Sequence, residues 1–144
     1  GPALTQLFVL DTDHVTLLQR GEPQVVEHLA LVPKHLIAAS IVTYEEQLRG
    51  RLAVVRQAQT PDRLALAYLR LREMHAFFCA IHLVDFDQST ARIYETLRKE
   101  HRRLGKMDLR IAATVLAHDC ILVTRNKSDF DQIVGLSTQD WSAP

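Results

Sequence analysis

Four acidic residues, Asp11, Glu46, Asp108 and Asp129, fall beside the ends of different elements of the chain. Asp11 closes the apolar run Leu7-Phe8-Val9-Leu10. Glu46 lies in the first turns of a helix that follows a second apolar run. Asp108 opens a later helix, and Asp129 follows the run Cys120-Ile121-Leu122-Val123-Thr124 by a few residues. Carboxylates are hard oxygen donors that suit Mg²⁺, which takes few protein ligands and keeps several waters. Gathered together they repel one another unless a cation neutralises them. A bound pair of such cations can activate a water and stabilise the leaving oxygen in phosphodiester hydrolysis.

Each acid also has a plainer reading. Asp11 and Asp13 are good helix caps. Asp108 could cap its helix, but it shares a face with Ile111, Ala112 and Val115, so its side chain is directed toward the core. A carboxylate buried without a partner is costly, which favours a functional role. Glu45 and Glu46 could each pair with Arg49, the usual fate of helical glutamates. Glu45 is in line with Leu48 and Leu52, whereas Glu46 lies under Gly50 and Ala53, so Glu46 is preferred for the site. Asp129 and Asp131 read as ordinary loop acids. The seven histidines have neither HxxxH nor HxH spacing and read as packed or surface residues. Neither a phosphate-binding glycine loop nor a nucleophile elbow is present.

The elements that would carry these acids follow from apolar runs and punctuation. Leu7–Leu10 reads as a strand buried on both faces. A helix over about 13–19 closes at Gly21, and another follows Pro23 with Val25, Val26 and Leu29 inward. His35 to Ala39 reads as the next strand, with Ser40 or Thr43 capping the helix after it. That helix runs to about Ala58 with Leu48, Leu52 and Val55 in register. Pro61 and Asp62 open a longer one with Leu64, Tyr68, Leu71, Met74, Phe78 and Ile81 in register. The two seams should face each other as a helical hairpin over about 44–81. His82–Val84 is a third strand, 89–104 a charged helix, Asp108 the start of another, Cys120–Thr124 a fourth strand, and 136–139 a short last one. Short apolar strands alternating with helices predict a parallel α/β sheet three layers deep. In such sheets ligands bind outside the carboxyl ends of the strands.

Composition bounds the rest. With 144 residues and 47% hydrophobic content, one domain with a real core is expected. The longest stretch free of Asp, Glu, Lys and Arg, Met74 to Val84, is too short to span a bilayer. Cys79 and Cys120 read as buried free thiols of a reducing, cytoplasmic compartment. Gly1-Pro2 reads as the remnant of a protease cut and is set aside. A formal net charge of zero argues against a protein that coats nucleic acid in bulk. The zero is uneven, however: residues 1–48 and 111–144 are net acidic and 49–110 net basic. The basic run Arg98, Lys99, Arg102, Arg103 and Lys106 stands beside Asp108. It could meet a polyanion or could be a solvated helix face.

Taken in order, these segments resemble the PIN-domain ribonucleases, most closely the VapC-type toxins of bacterial toxin–antitoxin pairs. The resemblance covers nearly the whole chain. Phe8-Val9-Leu10-Asp11-Thr12-Asp13 is similar to the family's apolar run followed by Asp-Thr-Asn. Thr43 to Gly50 is similar to its Thr-x-x-Glu-x-x-x-Gly, which sets the family glutamate at Glu46. Asp108-Leu109-Arg110-Ile111-Ala112-Ala113 is similar to Asp-Leu-x-Ile-Ala-Ala. Leu122 to Phe130 resembles the strand, Thr-x-Asn and acidic-Phe segment, and Val134 to Trp141 the usual C-terminus. Asp13 stands where the family often has Asn, and Asn126 where some members have Asp.

The resemblance implies a single PIN domain over residues 3–144, a three-layer α/β/α fold with a mostly parallel sheet of four or five strands. It implies a metal-dependent endoribonuclease acting on a structured RNA such as tRNA or rRNA. Asp11, Glu46 and Asp108 would bind Mg²⁺ or Mn²⁺, with Asp129 a fourth site acid. The fourth ligand would be Asn126, Asp129 or neither directly. Thr12, Asp13, Thr124 and Asn126 would support them, and Arg98, Lys99, Arg102, Arg103 and Lys106 would contact RNA phosphates. A VapB-type antitoxin and a homodimer are the implied partners, and the outward residues of 48–81 are a candidate surface for them. Two rivals stand beside this reading. One is a non-catalytic PIN scaffold that binds RNA or protein. The other is a haloacid-dehalogenase-like phosphatase, because Asp11-Thr12-Asp13-His14-Val15 also resembles that family's opening motif; its later lysine and acidic motif are not found.

Overall fold

The computed structural model describes residues 6–144, so Gly1-Pro2 lies outside the described residues. Five strands form one all-parallel sheet in the order β3-β2-β1-β4-β5. They are β1 (Phe8–Leu10), β2 (Ile37–Ser40), β3 (His82–Val84), β4 (Ile121–Val123) and β5 (Thr138–Gln139). In β1, the central strand, Val9 pairs with Ala38 on one side and Leu122 on the other. Alternate residues of these strands feed two separate cores. Val9, Ala38 and Leu122 face a cluster with Leu97, Leu109, Ile111, Ala112, Val115 and Phe130. Leu10, Ala39 and Val123 face a second cluster with Val15, Met74, Phe78 and Trp141. Helices therefore cover both faces, which is why the strands are apolar throughout rather than alternating. This is the three-layer α/β/α arrangement expected from the sequence.

The seven helices are α1 (Thr12–Gln19), α2 (Pro23–Ala30), α3 (Ile41–Gln57), α4 (Pro61–Cys79), α5 (Gln88–Glu100), α6 (Lys106–Ala117) and α7 (Lys127–Phe130). Four of them start on a side-chain cap. Asp11 accepts from the His14 N–H at 2.8 Å, Ser40 from Thr43 at 3.1 Å, Thr60 from Arg63 at 3.2 Å and Asp87 from Thr90 at 3.0 Å. Each cap satisfies an amide that the helix itself cannot. Gly21, at φ +74°, turns the chain away from α1, a conformation that L side chains adopt at a cost.

Several boundaries differ from the sequence reading. Lys34–Leu36 form a single 3-10 turn, so β2 starts only at Ile37. The charged helix stops at Glu100, not 104, and α6 starts at Lys106. Gly105, not Asp108, holds the cap position of α6, and Asp108 lies in its first turn. The short helix α7 was not expected. In the hairpin α3–α4, Leu48, Leu71, Met74, Phe78 and Ile81 pack on the sheet as expected, but Leu52, Leu64 and Tyr68 are exposed. A helical period marks one face of a helix but does not supply an element to cover it. Val26 is likewise exposed, and so is Cys79, at the end of α4. Cys120 alone is buried, and both thiols are free. No described helix is long and apolar enough to cross a membrane.

Candidate functional site

At the carboxyl edge of the sheet a cleft of about 550 Å³ is lined by Asp11, Thr12, Asp13, Thr16, Glu46, Asp108, Arg125, Asn126 and Phe130. Asp11 leaves β1, Asn126 follows β4, Glu46 lies on α3 after β2, and Asp108 is in the first turn of α6. Because all the strands run the same way, the helices that follow or precede them bring these four positions to one side of the molecule.

The acids are held in different ways. Asp11 is both the cap of α1 and a wall of the cleft, so its two sequence readings hold together; its Oδ1 accepts the His14 N–H. Thr12 donates from Oγ1 to Glu46 Oε1 at 2.6 Å. The same hydroxyl lies 3.1 Å from Thr43 Oγ1, and Ser40 Oγ lies 3.4 Å from Thr43. Each hydroxyl has one proton to give. If Thr12 gives its proton to Glu46, Thr43 must donate to Thr12, and Ser40 to Thr43. The row of donors ends on the carboxylate. Glu45, by contrast, pairs with Arg49 at 3.0 Å on the solvated face of α3.

Asp108 is half-buried. Burial, and then the charges of Asp11, Glu46 and Asp129, push its carboxyl above the ordinary carboxylate range. Asp129 does not line the cleft, but its charge reaches Asp108, and Asn126 Nδ2 donates to its Oδ2 at 2.9 Å. The Asn126 backbone N–H is fixed in turn by the buried Thr124 hydroxyl at 3.0 Å. Arg125 does not offset the acids freely. Its guanidinium forms a fork with Asp13 at 2.6 and 3.0 Å, which raises its pKa further.

This donor set fits a hard divalent cation: several oxygens, mutual repulsion and no free base among them. The group whose ligand atoms all lie within 4.8 Å of one another is Asp11, Asp13 and His14. Asp13 is exposed and forked with Arg125, while Asp11, Glu46 and Asp108 line the cleft together.

One groove with arginines adjoins the cleft, and a second basic surface lies farther out on α5 and the start of α6. A groove of about 620 Å³ shares Thr16 with the cleft and is lined by Gln19, Arg20, Gln47, Gly50, Arg51, Arg70, Glu73, Met74 and Phe77. The sequence reading took the arginines of 48–81, Arg51 and Arg70 among them, as part of a candidate partner surface and did not join them with Arg20 into one groove. The other surface holds Arg98, Lys99, Arg102 and Lys106 beside Tyr94 and Leu104; Arg98 is paired with Glu95 at 2.8 Å, and Arg103 is exposed in the turn beyond. Ser40, Thr43 and His14 were also missed as site residues. Ser40 and Thr43 read as caps, and His14 as one more packed histidine.

A family model described as PIN domain matches residues 8–136. Ribonuclease VapC1 of Haemophilus influenzae strain R2866 is 26% identical over 140 residues, covering 94% of this chain and 98% of the relative. A Shigella flexneri protein named tRNA(fMet)-specific endonuclease VapC is 27% identical over 139 residues, covering 94% and 98%. Among solved structures, a crystal structure of DNA-bound VapBC from Salmonella typhimurium has a TM-score of 0.75 at 22% identity, covering 95% of this chain and 99% of the other.

Proposed function

Because the chain belongs to the PIN domain family, we propose that it is a VapC-type endoribonuclease toxin that hydrolyses phosphodiester bonds in a structured RNA. The observation that carries this is the acidic cleft, where Asp11, Glu46 and Asp108 meet and the guanidinium at the rim, Arg125, is forked with Asp13. The named relatives, a ribonuclease and a tRNA endonuclease, support it.

Asp11, Glu46 and Asp108 would hold Mg²⁺ or Mn²⁺, which would acidify a water and stabilise the departing oxygen. The chain's own groups set the geometry. The Thr12 hydroxyl fixes which oxygen of Glu46 faces the cleft. Asn126 turns Asp129 toward Asp108, adding negative charge that strengthens cation binding. Asp13 holds Arg125 at the rim, where its charge meets an incoming phosphate without entering the acid cluster. Backbone phosphates would bind along Arg20, Arg51 and Arg70 in the adjoining groove, and along Arg98, Lys99, Arg102, Arg103 and Lys106 farther out. Such contacts give affinity and salt dependence rather than sequence choice.

A VapB-type antitoxin would silence the enzyme, and two copies would pair. Solved structural relatives include complexes of the VapBC type, and the hairpin leaves Val54, Leu66, Tyr68 and Leu69 exposed as a surface for such partners. Residues 3–144 would form one domain in one cytoplasmic protein.

Incubation with total cellular RNA tests the reading. Discrete fragments should form with Mg²⁺ or Mn²⁺, disappear in EDTA, and disappear with Asp11→Asn. Folded, antitoxin-free protein that cuts nothing in either metal would overturn it in favour of a binding scaffold.

A further inference from the structure

We propose that His14 is a positioning residue for Asp11. The C-terminal segment holds its ring so that Nδ1–H lies beside Asp11 Oδ1, and closing that contact would fix the carboxylate from behind and leave Oδ2 to the cleft. The inference rests on Asp11 being a cation ligand.

The His14 side chain is 0% exposed. The Trp141 backbone N–H donates to its Nε2 at 3.2 Å. A ring nitrogen that accepts must keep its lone pair, so the proton sits on the other nitrogen. That proton, on Nδ1, is buried and has no partner within ordinary hydrogen-bond range. The carboxylate facing it is Asp11 Oδ1, at 3.4 Å. Asp140 Oδ1 lies 3.6 Å from Nε2, but it already accepts from Ser142 N at 2.8 Å and Ser142 Oγ at 2.6 Å.

An unmet buried donor is costly, and because Asp11 Oδ1 is within reach but off the N–H line, a small reorientation of the ring or the carboxylate would close this one. Asp11 Oδ1 would then take two donors from one residue, the backbone N–H at 2.8 Å and the ring N–H. The same tautomer bars His14 from ligating the ion itself, although it lies in the tight group with Asp11 and Asp13. Trp141 can hold the ring because it is itself fixed, stacked on His28 at 4.7 Å and packed on Phe8 at 5.5 Å. Partners behind a ligand typically change metal affinity by about 10–100-fold when removed.

Two measurements test this. Long-range ¹H–¹⁵N correlation on the wild-type protein should show the His14 proton on Nδ1; a proton on Nε2 overturns the proposal and needs no variant. Calorimetry with Mn²⁺ should show about a 10–100-fold loss for His14→Leu, while His14→Asn, whose amide can replace the Nδ1 donor, keeps wild-type affinity. Equal affinity in all three proteins, or an equal loss in both variants, overturns the positioning role. Wild-type protein that binds no Mn²⁺ overturns instead the assignment of Asp11 as a ligand. If His14→Leu does not fold, His14→Phe, which likewise lacks the Nδ1 donor, takes its place beside His14→Asn, and the tautomer still decides without a variant.

Discussion

Helix α6 and the outer half of the α3–α4 hairpin use apolar residues in opposite ways. In α6, Leu109, Ile111, Ala112, Ala113 and Val115 are all buried, packed among α5, α3 and the sheet. In the hairpin, Leu66, Tyr68 and Leu69 are 49%, 56% and 53% exposed. The site acids follow the first pattern. Asp108 is in the first turn of the rooted helix, and Glu46 is near the root of α3, just after the buried Val42 and Thr43. A carboxylate set against its neighbours' charges needs a backbone that cannot retreat. The outer hairpin carries no such load and is available as surface.

The largest effect should come from the acid that the rooted helix forces into place. Asp108→Asn should abolish RNA cutting. It should also raise Tm in EDTA, because burial and three neighbouring charges oppose the ionised carboxyl. At neutral pH that charge costs folded-state stability, and the amide removes the cost. The gain in Tm that Mn²⁺ gives the wild type should shrink in this variant. A lower Tm in EDTA would mean that Asp108 supports the fold rather than straining it.

Removing the root itself should cost nearly as much. Ile111→Ala should destabilise the protein by about 2–5 kcal/mol in urea titration, as buried Ile and Leu truncations do. Ile111 is 1% exposed. A small loss would mean that α6 is not the rigid member of the pair.

A smaller effect should appear where α5 packs beside α6. Asp87 caps α5 and accepts from the Thr90 N–H, the Thr90 hydroxyl and the Ser89 hydroxyl, which lower its pKa from 3.8 to about 2. A depressed acid stabilises the fold above its unfolded pKa and loses that contribution as pH falls through the folded value. Asp87→Ala should therefore have a lower Tm than wild type at pH 7, with the gap closing between about pH 4 and 2. A gap unchanged over that window would assign the effect to something other than the carboxylate.

The same contrast explains what could be read from the sequence. The strands were legible because both faces of the sheet are covered, which leaves uninterrupted apolar runs such as Phe8-Val9-Leu10. Asp11, Glu46 and Asp108 were legible because their element ends are set by those runs. Glu46 was separable from Glu45 by helical phase alone. The exposure of Leu52, Leu64 and Tyr68 was not legible, because a periodic pattern does not say whether another element covers that face. The hydroxyl row from Ser40 to Glu46 and the Trp141–His14 contact join residues distant in sequence, and a cap or a lone histidine gives no local sign of them. Arg20 escaped notice for the same reason, and Arg51 and Arg70 were legible only as outward residues of 48–81, since only the fold makes the three one groove.

The smallest effect sharpens the comparison from the other side. Leu66→Ala removes as many side-chain carbons as a core truncation, yet the residue is half exposed on α4. Alanine is also the best helix former, so the backbone gains slightly. Urea titration should show a change within about 0.5 kcal/mol, as for surface positions generally. The ratio between this value and that of Ile111→Ala measures how unevenly the two helices are tied to the sheet. Should Leu66→Ala instead cost as much as Ile111→Ala, the outer hairpin would be buried in solution, and a second copy of the chain covering it would have to be part of the folded state. Repeating the titration across protein concentration separates the two cases, because only a covered face makes stability concentration-dependent.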